Sequence, residues 1–115
     1  MTTTVIELVT YNLKAGISAE QLKAVHPQVN DFLMAQDGFM YRSLSNDKSG
    51  LLYDIVYWRD MASAKKASEA FMASTAGQAL CQLTDMDSVT MRHMPVSTEA
   101  MICSSSSESS EPALI

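Results

Sequence analysis

Four ionisable side chains stand in stretches otherwise built for a protein interior: Glu7 in VIELVTY, Arg42 in FMYRSL, Asp54 in LLYDIVYW and His93 in VTMRHMPV. A lone buried carboxylate costs several kcal/mol and tends to neutralise, whereas one forked by an arginine or hydrogen-bonded by a histidine can remain charged. Such a set can do chemistry. Glu7 or Asp54 together with His93 would serve as acid or base near neutral pH, and Arg42 would orient an oxygen-bearing ligand. The same four groups could instead form an ion-pair network that fixes strand register, or lie partly solvated at a rim. Both readings stay open at the level of sequence.

The elements that must position these groups are legible from periodicity. Residues 5–13 alternate, with Val5, Glu7, Val9 and Tyr11 on one face, and read as a first strand. Ser18 followed by Gln21 is a capping-box signature that opens a helix to about Gln36, with Leu22, Val25, Val29, Phe32 and Leu33 at helical spacing. Pro27 inside that pattern predicts a kink in one helix rather than two helices. Residues 39–45 and 51–59 flank the turn Asn46–Gly50 and read as a hairpin that brings Arg42 opposite Asp54 or one step from it. Asp60 caps a second helix over 61–73, with Ala64, Ala67, Ala70 and Phe71 inward. After an interruption at Ser74 to Gly77, a short further helix and a fourth strand over 87–94 complete the order βαββαβ.

That order predicts an α+β, ferredoxin-like fold: one antiparallel four-stranded sheet, spatial order 4-1-3-2, with both helices on one face. The expectation for the site takes strands one and three as parallel, which sets Glu7, Asp54, His93 and Arg42 at one level on the helix-facing side. Trp58, Tyr11, Val9, Val56 and Met91 share that face and would wall an apolar pocket, with His26 of the first helix as a further lining candidate. The other sheet face would carry Ile6, Leu8, Tyr41, Tyr53, Ile55 and Tyr57. It is too apolar for solvent, so a homodimer through that face is expected.

Composition bounds the function classes. The chain has 115 residues, enough for one domain with a single core. Net charge is −5 and the pI about 4.8, with no extended basic face, which argues against nucleic acid and anionic membrane as partners. No apolar run approaches the roughly eighteen residues of a membrane span, and a basic, cleavable leader is not visible, so a cytoplasmic location is expected. Cys81 and Cys103 are too few for a disulfide framework or zinc site, and neither a metal nor a cofactor is called for. Nine methionines suit an irregular or adaptable apolar chamber, or ordinary core packing. Residues 97–115 change to a serine-rich composition and are expected to be a disordered tail on a domain of residues 1–96.

GFMYRSL followed by DIVYW, a helix of AxxAxxA type, FMASTAGQAL and a closing VTMRHMPV resemble the antibiotic-biosynthesis-monooxygenase-like branch of the dimeric α+β barrel proteins, over about residues 5 to 96. The resemblance implies two subunits joined sheet to sheet, each with an apolar pocket between its own sheet and helices. It also implies that Trp58 matches a tryptophan bordering that pocket. Relatives include cofactor-independent oxygenases of aromatic polyketides and haem-degrading oxygenases. The latter carry a histidine and an asparagine where this chain has Cys81 and Val9, so an iron ligand would be missing. The resemblance therefore points to a cofactor-independent monooxygenase of an aromatic substrate. A non-catalytic protein that binds a lipid-like or aromatic molecule, and a purely structural module, are the alternatives.

Overall fold

The computed structural model describes residues 3–102; Cys103, the serine run that follows it and the closing Pro112-Ala113-Leu114-Ile115 lie outside them, as does most of the expected tail. The elements are β1 (Val5–Leu13), α1 (Ala19–Met34), β2 (Phe39–Asn46), β3 (Leu52–Trp58), α2 (Met61–Ala73), α3 (Thr75–Leu83) and β4 (Thr84–Pro95). The strands form one sheet in the order β2-β3-β1-β4, every neighbouring pair antiparallel. This is the expected ferredoxin-like α+β arrangement.

Local chemistry explains most element ends. Ser18 accepts from the Gln21 backbone N–H while the Gln21 side chain accepts from the Ser18 N–H, closing both sides of the capping box. Pro27 sits inside one continuous α1. Asp60 accepts from Ser63 N and starts α2. Ser74 serves two helices at once: its hydroxyl donates to Phe71 O at the end of α2 and accepts from Gly77 N at the start of α3. The joint is therefore one residue long, shorter than the expected Ser74–Gly77 break. Gly77 is required there, because a Cβ would collide with the Phe71 carbonyl.

β4 begins three residues earlier than the sequence pattern suggests. Asp85 and Asp87 are poor strand formers, but Thr84 and Asp85 pair with Leu13 and Asn12 of β1, and that ladder overrides propensity. Between Thr10 and Asn12 the register shifts, leaving residues 86–89 of β4 bulged against Tyr11. Ser88 holds the bulge by accepting from Asn12 N and donating to Asp85 O. The core lies between sheet and helices, with Trp58, Tyr11, Val5 and Val29 its largest fully buried side chains. On the outer face Ile6, Leu8, Tyr53, Ile55 and Tyr57 are half-buried and Tyr41 is 59% exposed, with Tyr41 and Tyr57 packed edge to face. No described helix is long and apolar enough to cross a membrane.

Candidate functional site

Strand direction corrects the expected layout. β1 and β3 run antiparallel, not parallel, so a residue early in β3 stands opposite one late in β1. Arg42, Val56, Glu7 and His93 form one row across the four strands. Asp54 belongs to the next row, with Leu44, Val9 and Met91, about 7 Å along the strand. All four ionisable groups face the helices, but they separate into two pairs.

The first pair is closed. Asp54 is buried, and Arg42 grips it as a fork, Nε donating to Oδ1 at 2.9 Å and Nη2 to Oδ2 at 2.6 Å. The remaining arginine nitrogen, Nη1, donates to Asn30 Oδ1 of α1 at 2.8 Å. Burial disfavours the guanidinium charge, but hydrogen bonds to Asp54 and its charge outweigh this and raise the Arg42 pKa. Tyr11 adds a third donor, its hydroxyl reaching back one row to Asp54 Oδ2 at 3.4 Å. Burial above all, and then the Asp54 charge, push the Tyr11 phenol well above its usual range, so it stays protonated. His26, one turn before Asn30, lies beside this pair rather than in the cavity wall, and its buried Nδ1 has no partner among the described residues. Its pKa is lowered by burial and then by the charge of Arg42.

The second pair is open. Glu7 Oε1 accepts from Trp58 Nε1 at 3.2 Å, Ser68 Oγ at 3.3 Å and His93 Nε2 at 3.2 Å. Among the described residues all three donors converge on that one oxygen, and Oε2 has no side-chain partner. The indole is itself fixed, packed edge-on against Phe39 with ring centroids 5.7 Å apart. Carboxylate and imidazole side chains here are 13% and 17% exposed, more accessible than the 10% and 6% of Asp54 and Arg42.

Glu7 and Asp54, one from each pair, line a cavity of about 150 Å³. Val9, Asp54, Val56 and Met91 line its sheet side and Val29, Leu33 and Phe71 its helix side, with Glu7 and Trp58 toward one end and Tyr11 and Thr84 toward the other. Every wall residue expected from sequence is therefore in the wall except His26, while Arg42 and His93 act from behind it. Sequence reasoning missed Ser68, Asn30 and the bulge residue Met86, whereas alternation sets Val89 on the helix-facing side with Met91 and His93, where the structure has it. Ser68 had a signal, since it continues the inward stripe Ala64, Ala67, Phe71. The bulge had none, because it arises from pairing between distant strands. Cys81 is a free thiol in the wall, half-buried. Among the described residues no group of three or more His, Cys, Asp or Glu is gathered to hold a metal ion.

No protein-family model matches the sequence, and no curated protein matches it. Solved structures do. The cofactor-independent oxygenase SnoaB from Streptomyces nogalater superposes over 88% of this chain and 98% of its own, with a TM-score of 0.61 and 16% identity. A candidate antibiotic biosynthesis monooxygenase from Bordetella bronchiseptica covers 89% of this chain and 100% of its own at TM-score 0.65 and 12% identity. A dimeric ferredoxin-like protein of unknown function from Thermobifida fusca covers 84% and 93% at TM-score 0.68 and 5% identity. The resemblance read from sequence thus holds at the level of fold: this chain has the fold of the antibiotic-biosynthesis-monooxygenase-like proteins.

Proposed function

We propose that this chain is a cofactor-independent monooxygenase that oxidises a small aromatic phenol in the cavity described above. The observation that carries the reading is Glu7: a carboxylate with one oxygen pinned by three donors and the other free, at the polar end of an apolar chamber. The fold shared with a cofactor-independent oxygenase supports it.

In this reading Glu7 Oε2 takes the phenolic proton, and the electron-rich phenolate supplies electrons to dioxygen. A bond forms between dioxygen and the ring carbon para to the phenolate. The O–O bond then breaks; one oxygen remains on the ring as a carbonyl, the other leaves as water with two protons, and phenol plus dioxygen become quinone plus water. Trp58, Ser68 and His93 hold the carboxylate in place, and the apolar walls exclude solvent from the phenolate. Two copies pair through the outer sheet face around Ile6, Leu8, Ile55 and the tyrosines, which buries their exposed apolar area.

Oxygen uptake with an electron-rich phenol, no added metal, is the test. Glu7→Gln keeps the shape and the Oε1 contacts but loses the base, and turnover falls by about 10²–10⁴-fold. Stoichiometric ligand binding without oxygen consumption would instead favour a non-catalytic binding protein.

A further inference from the structure

Among the described residues the cavity wall has three exposed members, and all three are methionine: Met72 of α2, and Met86 and Met91 of β4. Every other described wall residue is buried or half-buried. A third of the nine methionines in the chain thus stands where the cavity meets solvent. The other oxidisable side chains of the wall are withdrawn, Trp58 and Tyr11 into the core and Cys81 to a half-buried position. The thioethers are therefore the wall groups that a small oxidant in solution meets first.

We propose that Met72, Met86 and Met91 are a modification site for hydrogen peroxide, and that their oxidation weakens the hold of the cavity on uncharged aromatic molecules. A sulfur lone pair attacks one peroxide oxygen; the S–O bond forms as the O–O bond breaks, the sulfide becomes a sulfoxide, and the second oxygen leaves as water. A flexible apolar side chain becomes a polar one that holds water. An aromatic guest seated against it strips that water and has no donor on its ring face to replace it. Reductases return the sulfoxide to the thioether, so the change is reversible. The inference rests on the part of the preceding reading that admits an aromatic molecule to the cavity, and it holds whether or not that molecule is oxidised there.

The full chain is treated with hydrogen peroxide, freed of it, mapped by peptide mass spectrometry and titrated calorimetrically with 2-naphthol under argon, so that the ligand is not consumed. Met72, Met86 and Met91 each gain one oxygen atom, the far-ultraviolet circular dichroism is unchanged, and Kd rises about tenfold. Methionine sulfoxide reductases with dithiothreitol restore the original Kd, whereas dithiothreitol alone, which reverses the first oxidation of a thiol such as Cys81, does not. In Met72→Leu/Met86→Leu/Met91→Leu the same treatment oxidises exposed Met34, Met40 and Met101. Its Kd nevertheless changes by less than about twofold against its own untreated form. Should that variant fail to fold, the reductase comparison decides. Failure to oxidise the three methionines, an oxidised chain that binds as before or has lost its dichroism, a variant that weakens as much as wild type, or recovery with dithiothreitol alone overturns the inference. An untreated chain that takes up no 2-naphthol removes both the inference and the reading it rests on, whereas binding without oxygen consumption removes the monooxygenase reading alone.

Discussion

Asp54 with Arg42 and Glu7 with His93 are both a carboxylate and a basic side chain on one face of one sheet, yet their surroundings give them opposite characters. Asp54 has both oxygens gripped by a rigid planar fork and a tyrosine hydroxyl behind. Its geometry leaves little to offer a ligand. Glu7 has all three donors on one oxygen. The difference lies in the basic partner: a guanidinium meets a carboxylate in two parallel hydrogen bonds, whereas an imidazole nitrogen makes one. A buried arginine pair seals a carboxylate, and a histidine leaves it half-used.

The comparison breaks first at Arg42. Arg42→Met leaves the Asp54 charge buried without its partner, and urea unfolding should show a loss of about 3–5 kcal/mol. The double variant Arg42→Met/Asp54→Leu should recover at least half of that, because two apolar groups no longer need each other. Glu7→Gln, at the open pair, should cost less than about 1 kcal/mol of stability. Equal losses at the two pairs would mean that they are equally structural.

Trp58 sharpens the contrast. It is 1% exposed, so Trp58→Ala would open a void costing about 3–5 kcal/mol and could not report on the site alone. Trp58→Phe keeps much of the packing and deletes the N–H on Glu7; turnover should fall by about tenfold while the melting temperature moves little. An unchanged rate would separate the indole from the chemistry.

The smallest effect concerns His26, which lies near Arg42 and Asp54. Its folded pKa lies below the ordinary 6.5 because burial and then Arg42 disfavour its charge. The unfolded chain therefore takes up the proton first. Stability is highest above pH 6.5 and declines as pH falls through 6.5 toward the lower folded value. His26→Gln should flatten that slope between about pH 7 and 5, measured by urea midpoints. A slope unchanged by the substitution would assign it to other groups.

Element order, sheet order and the face of each strand were legible because they follow from local periodicity and handed crossovers. Ser18, Gln21 and Asp60 marked helix starts through their own side chains. Strand direction was misjudged between β1 and β3, and this moved Asp54 by one row. Face assignment survived, since alternation does not depend on direction. Ser68 and Asn30 were missed because a single polar residue on a helix face announces no partner. The β1–β4 bulge was missed because only the folded ladder creates it, and Met86, which lies in it, reaches the cavity wall.

Met72, Met86 and Met91 each reach both the cavity and the outside, about half exposed at 55%, 48% and 48%. An unbranched thioether changes shape by turning about single bonds, with no movement of the chain that bears it. The exposed edge of the cavity can therefore change its outline, while Trp58 and Tyr11, 1% and 2% exposed, hold the inner wall in one shape.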